Sequence, residues 1–421
     1  MKTASSKAQR QRSAPLETML MFLLSNLWQL ALLATVAAVV LPRDGPVNEV
    51  LHLQPLEASS PKKIKPKVFI FSMYDDEGDV WYSIPEFDLL ARNITVPGLS
   101  PLFPDAHCTL DGSVCQLTTG EGEINAATTI ISLVLSPVFD LTKTYFLIAG
   151  VAGINPKVAT IGSVTFARYA VQVSLQNEFD ARDKPAHWPT GYFPQGSHAP
   201  EEYPPKLYGT EVFEVNDALR NLAVGFARRA ELNDTAAAQA YRAHYAGSSV
   251  FAAGAAAPSV VECDTATSDN FWSGTFLGEA FENTTMLFTN GTGVYCSTQQ
   301  EDNATLEALM RGHIIGLVDF SRIIIMRSGS DFDRPYPGQS AAENLFADDI
   351  GYGPSVLNLH LGGVRVVQGI IDGWEETFEC GVKPTNYIGD ILGSIGGEPD
   401  FGPGNIFAKQ VKTSGVRRRS V

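Results

Sequence analysis

The sequence predicts an α/β fold preceded by one N-terminal transmembrane helix, and three observations carry that prediction. Short apolar runs of strand type alternate with stretches of helical spacing along most of the chain. Polar clusters follow these strand-like runs, which is where loops leave the carboxyl ends of strands and bind ligands in open α/β sheets. Near the amino end, Thr18 to Leu41 is a run of 24 residues without a charge, long enough at ~1.5 Å per residue to cross a ~30 Å hydrocarbon core.

Taken in order, residues 1–17 form a basic arm with Lys2, Lys7, Arg10 and Arg12. Cations before the span put the arm in the cytoplasm and the body outside it or in a lumen. Residues 18–41 then read as a signal-anchor, with a cleaved signal peptide as the competing reading. Residues 43–65 form a Pro- and Lys-containing stalk. The folded domain is expected over 66–395 and a loose basic tail over 396–421.

Within the domain, 67–73 and 114–119 read as strands, the second leading into a helix over 124–135. Residues 144–149 form another strand, expected to break at Gly150-Val151-Ala152-Gly153. One or two strands fall in 161–175, and 182–212 is a long ordered loop rich in Pro, Gly and Tyr. Helices are expected over 216–232, 301–311 and 354–378, the last interrupted at Gly362-Gly363. Strands are expected at 259–262 and 322–326, with a loop from Ser328 to Asp333 after the latter.

The formal net charge is −15, and both termini are basic, so the body between them is more acidic still. Such a surface repels nucleic acid polymers. The five cysteines have no metal-ligand spacing, and no metal is expected. Cys108 and Cys115 flank a turn and suit a local disulfide, whereas Cys263, Cys296 and Cys380 read as free thiols. Sequons at Asn93, Asn233, Asn283, Asn290 and Asn303 suit a secreted body.

Four clusters carry candidate chemistry. In Arg327-Ser328-Gly329-Ser330-Asp331-Phe332-Asp333 an apolar strand delivers two carboxylates into one place. A buried carboxyl there can keep its proton and donate it to a leaving group. The competing reading is a turn with the Asp paired to Arg327 or Arg334. Gln300-Glu301 opens a helix, and a carboxylate matches a vicinal diol in spacing; simple helix N-terminal charge compensation is the alternative. Phe271 can stack on a flat base, though Phe-Trp pairs are more often core. Thr119-Gly120-Glu121-Gly122 and the run from Gly150 to Gly153 let backbone approach a ligand. Neither glycine run has the Lys-Ser/Thr of a phosphate-binding P-loop or a dinucleotide fingerprint.

Together with Trp81-Tyr82, Asn125-Ala126-Ala127, the run from Tyr208 to Asn216, Asn290-Gly291-Thr292-Gly293 and the run from Tyr295 to Leu309, these clusters stand in an order that resembles the nucleoside phosphorylase and nucleosidase superfamily. The resemblance is closer to the purine nucleoside permeases, and it runs from about Lys67 to Gly381. It implies a mixed central sheet flanked by helices, and a purine nucleoside as ligand. It also implies roles. Asp331, next to Ser330, protonates the purine at N7. Glu301 binds the ribose hydroxyls, with Gln300 where the family pattern has Met. Phe271 stacks on the base, and Asp76 or Glu77 activates water. Gly150 and Gly153 admit the substrate. The Arg and Ser that bind phosphate in some phosphorylases are absent from Ile148-Ala149-Gly150-Val151, which favours hydrolysis or binding over phosphorolysis, with phosphate kept only as a possible co-substrate and no cofactor expected. The alternative to cleavage is a nucleoside-binding component of uptake; a single span cannot line a pore without oligomerisation. Related folds complete their pockets across subunits, so a homo-oligomer is expected.

Overall fold

The computed structural model describes residues 62–347 and 350–404. The basic arm, the apolar run 18–41 and most of the stalk lie outside the described residues, as do Lys409 to Arg419. Among the described residues no helix is long and apolar enough to cross a membrane.

A mixed sheet forms the centre. Strand β1 (Val68–Ser72) lies parallel to β2 (Val114–Thr118) on one side and to β3 (Tyr145–Ile154) on the other. Beyond β2, strands Asp105–Cys108 and Arg92–Thr95 continue the sheet antiparallel. On the far side of β3, strand β4 (Asp264–Thr267) runs parallel to β5 (Tyr295–Gln299), which pairs with the end of β3. Strand β6 (Ile323–Phe332) runs parallel to β3 along its whole length. Every residue of β1 and β2 is buried. This is what a sheet covered on both faces requires of its central strands.

One face is covered by α2 (Glu123–Leu135) and α3 (Asp302–Ile314), whose Ile130, Leu133, Leu306 and Leu309 pack on Phe69, Phe71 and Ile148. Helix Asp217–Ala227 and α4 (Tyr352–Asp372) cover the other face, burying Leu219, Val224, Leu359 and Val366 against Ile70, Leu147 and Met326. A five-residue helix, α1 (Asp75–Asp79), turns off the end of β1.

Several expectations need correction. Strand β3 does not break at Gly150, and β6 does not end at Met326. Residues 150–154 and 327–332 pair with each other, so the two polar, glycine-bearing runs lie inside the sheet. Glycine here serves close approach and not a turn. Helix α4 passes through Gly362-Gly363 without a break. A Cβ on Gly363 would lie 2.5 Å from the Trp81 ring and 2.9 Å from Met326 Cε, so this glycine brings the helix down onto the sheet. Gly363→Ala is expected to destabilise the protein by about 1–3 kcal/mol through overpacking, read as a lower urea midpoint at unchanged slope.

The folded part starts earlier and ends later than expected. Ile64 bridges to Phe139, two residues before the predicted boundary. Phe401, inside the supposed loose tail, is fully buried and its ring meets Tyr169 and Tyr387. Cys108 pairs with Cys115 as expected. Cys263 and Cys296 are not free thiols; they form a second disulfide because β4 and β5 are neighbours, and only Cys380 stays free. The sequon Asn303 is buried, with its side chain held by Thr267 and the Thr210 carbonyl.

Candidate functional site

The strand ends converge on a cavity of about 420 Å³ that opens to solvent. Its wall includes Glu77, Phe271, Gln300, Glu301, Ser330 and Asp331. Residues separated by more than 250 positions in sequence therefore meet in a volume of the size that holds a small organic ligand.

Asp331 reaches the cavity through a register shift. Between Gly329 and Asp331 the pairing of β6 with β3 slips, leaving Ser330 off the ladder. A bulge of this kind re-aims the following side chain. Ser330 Oγ donates to Asp331 Oδ1 at 2.8 Å. Burial pushes the Asp331 carboxyl up to about 6, against the opposing effect of that hydrogen bond and with help from the nearby Asp333 charge. Asp333 takes the structural part foreseen for this cluster. It accepts from Arg334 Nε at 2.9 Å and from Tyr295 Oη at 2.6 Å, deep in the protein.

Glu301 stands at the start of α3. Gly122, at φ +87° before α2, donates its N–H to Glu301 Oε1 at 3.0 Å. Arg327 Nη2 donates to Oε2 at 3.2 Å. Burial raises the Glu301 pKa, and Arg327 opposes the rise. Gln300 is held beside it by a hydrogen bond to the Asp269 carbonyl. Phe271 is 62 % exposed on the rim, a position from which a ring can close over a flat ligand, while its neighbour Trp272 goes into the core.

The two acidic candidates of α1 separate. Glu77 is buried, accepting from the N–H groups of Met73 (2.7 Å) and Val151 (2.6 Å). Burial raises its pKa to about 8, with Arg327 pulling it down and Glu301 pushing it up. Asp76 does not line the cavity; it accepts from the hydroxyl of Tyr352, which does. Successive helical side chains point about 100° apart, which is why one carboxylate faces in and the next does not. Gly153 lines the cavity, but Gly150 lies beneath it. A Cβ on Gly150 would sit 2.5 Å from Arg327 Nη1 and 2.8 Å from Glu77 Oε1, so this glycine makes room for the ion cluster and not for a ligand.

Sequence reasoning missed Arg327 as a site residue. It is buried at the centre, donating to Asp302 Oδ1 at 2.6 Å, to Glu301 and to the Val151 carbonyl at 3.2 Å. The signal was present, since an arginine directly after an Ile-Ile-Ile-Met run has no business in a core without carboxylate partners. Asn344 was missed too. From the cavity wall its Nδ2 bonds Ser273 Oγ and the Phe332 carbonyl, both at 2.8 Å. Among the described residues no cluster suited to a metal ion occurs.

The site is thus an acidic cavity with a buried carboxyl raised to about 6, a second carboxyl at a helix start, an aromatic rim and a buried carboxyl–guanidinium cluster. A family model described as "Purine nucleoside permease (NUP)" matches residues 65–383. A Candida albicans (strain SC5314) purine nucleoside permease is 46% identical over 369 residues, covering 86% of this chain and 89% of that one. A Schizosaccharomyces pombe protein named "Probable purine nucleoside permease C285.05" is 43% identical over 320 residues, 74% of this chain and 90% of its own. The chain belongs to the purine nucleoside permease family. Among solved structures, it is similar to a 5′-methylthioadenosine/S-adenosylhomocysteine nucleosidase from Neisseria meningitidis, with TM-score 0.43 and 14% identity over 74% of this chain and 99% of that one. Futalosine hydrolase of Helicobacter pylori aligns with TM-score 0.42 and 15% identity over 73% of this chain and 97% of its own.

Proposed function

We propose that this cavity binds a purine nucleoside and hydrolyses its N-glycosidic bond. The observation that carries the reading is the convergence of Phe271, Glu301, Asp331 and Glu77 on one cavity. Phe271 stacks on the base and Glu301 holds the ribose diol. The C1′–N9 bond breaks with its electron pair leaving on the base, which takes the Asp331 proton at N7. Water adds to C1′ and gives its proton to Glu77. Each proton transfer of this kind is worth ~10²–10⁴-fold. Incubating the purified full-length chain with inosine or adenosine is expected to release free base without added phosphate. Release that requires phosphate would replace hydrolysis by phosphorolysis.

The pH dependence follows from the two carboxyls. Asp331 must hold its proton and Glu77 must have lost its own, yet the acid titrates at about 6 and the base at about 8. The reactive pair of states is therefore a minority, about one molecule in a hundred at neutral pH. Base release is expected to rise with pH up to about 6 as Glu77 ionises, to run level to about 8, and to fall above it as protonated Asp331 disappears. A rate that climbs steadily from pH 5 to 9 would remove Asp331 from the proton transfer.

The relatives' description as permeases favours a second reading, nucleoside capture for uptake without cleavage. Saturable nucleoside binding by calorimetry with no base released would select it. In either case the body is placed outside the cytoplasm on this proposal. The uncharged run 18–41 and two disulfides support that placement.

A further inference from the structure

Three carboxyl groups surround one guanidinium in the floor of the cavity, and one of them has no part in the scheme above. Asp302 follows Glu301 at the start of α3 and is fully buried. Its Oδ1 accepts from Arg327 Nη2 at 2.6 Å, shorter than the 3.2 Å from the same nitrogen to Glu301. Its Oδ2 is buried with no partner. Glu301 and Glu77 also face the guanidinium from α3 and α1, but burial raises both their pKa values, and Asp302 is the carboxylate that acts on it most strongly. Burying one more carboxylate, half of it unsatisfied, costs free energy. A buried guanidinium beside a sugar pocket is otherwise the natural seat for an inorganic oxyanion, because its fork matches phosphate.

We propose that Asp302 is a positioning residue that keeps Arg327 occupied and so denies inorganic phosphate a place on the sugar side of the cavity. It rests on the hydrolase reading and deepens it by fixing the acceptor of the glycosyl group. With Arg327 Nη2 shared by Asp302 and Glu301 and Nη1 on the Val151 carbonyl, only Nε is left without a partner, and an incoming anion meets carboxylates around the guanidinium. Water remains the one acceptor. Its oxygen bonds to C1′ and its proton passes to Glu77, while the bond to N9 breaks toward the base protonated by Asp331. Solvent then returns the proton from Glu77 to Asp331. The geometry assigns Asp302 no contact with the nucleoside. Its effect runs through Arg327 alone.

The test measures initial rates of base release from inosine by the full-length chain and its Asp302→Asn and Asp302→Glu variants. Each is assayed in inorganic phosphate and in chloride of equal ionic strength, with the sugar product identified. The wild type and Asp302→Glu are expected to show the same KM in both salts and to yield free ribose. Asp302→Asn is expected to show a KM raised roughly fivefold by about 20 mM phosphate through competition at the freed Arg327, or to yield ribose 1-phosphate. A merely structural role would shift all conditions together and leave phosphate without a specific effect, and that result would overturn the proposal. Should Asp302→Asn fail to fold, the wild-type arm decides. Ribose 1-phosphate, or a KM raised by phosphate, overturns it there, and ribose alone in phosphate supports it. No base release from the wild type in either salt overturns the hydrolase reading itself, a result distinct from release that phosphate alters.

Discussion

Asp331→Asn is expected to lower base release by ~10²–10⁴-fold, the usual contribution of a positioned general acid, with nucleoside affinity held within a few-fold. The substitution keeps the shape of the side chain and its place beside Ser330 Oγ, 2.8 Å away. An amide can still donate a hydrogen bond toward N7, so the ground-state contact survives. It cannot surrender the proton, so a purine anion would have to leave unassisted. Binding and turnover should therefore separate. Asp333 supplies no rescue, because Arg334 and Tyr295 engage both its oxygens. The check is kcat for inosine together with calorimetric affinity for the same variant. Equal losses in both would mean that Asp331 holds the ligand and does not transfer a proton. Unchanged kcat would remove it from the site.

How much of this was legible in the sequence depended on distance along the chain. Ser330-Asp331 and Gln300-Glu301 are adjacent pairs, each at the end of a strand-like run; local pattern left a salt-bridged turn and a helix-end charge open there, and the family resemblance chose between the readings. The choice between Asp76 and Glu77 was not legible. Both stand on one short helix, and which side chain turns inward is set by how α1 meets β1 and β3. The disulfide between Cys263 and Cys296 was hidden for a similar reason. The 33 residues between them say nothing until β4 and β5 are known to be neighbours. Glycine misled in one direction at two places. At Gly150 and Gly363 it was read as a break, because open space is the commoner reason for glycine in a loop-like context. Here both lie within regular elements and are selected by what stands above them, Arg327 and Glu77 at one and Trp81 at the other. A sequence shows the missing side chain without showing the neighbour that excludes it.

The second large effect concerns the cluster that the sequence left unread. Arg327→Met is expected to cost about 3–5 kcal/mol of stability, the range for removing one partner of a buried ion pair. Methionine nearly fills the volume, so the loss is electrostatic and not a cavity. Glu77, Glu301 and Asp302 would remain at 5 % exposure or less with no cation among them. The sign of the pH dependence follows. Burial already raises the Glu77 and Glu301 pKa values in the wild type, and Arg327 restrains both. Without it their folded-state values rise further above the unfolded value of about 4.3. A carboxyl whose folded pKa exceeds its unfolded one stabilises the fold at low pH and loses that contribution as pH rises toward the folded pKa. The variant should thus approach the wild type near pH 4 and fall furthest behind above pH 8, where each carboxyl either ionises without a partner or binds a proton at a cost. Urea denaturation of both proteins across that range gives the difference directly. A deficit of the same size at every pH would show that Arg327 contributes only packing, and the ion cluster would then lose its claim to set the protonation of Glu77.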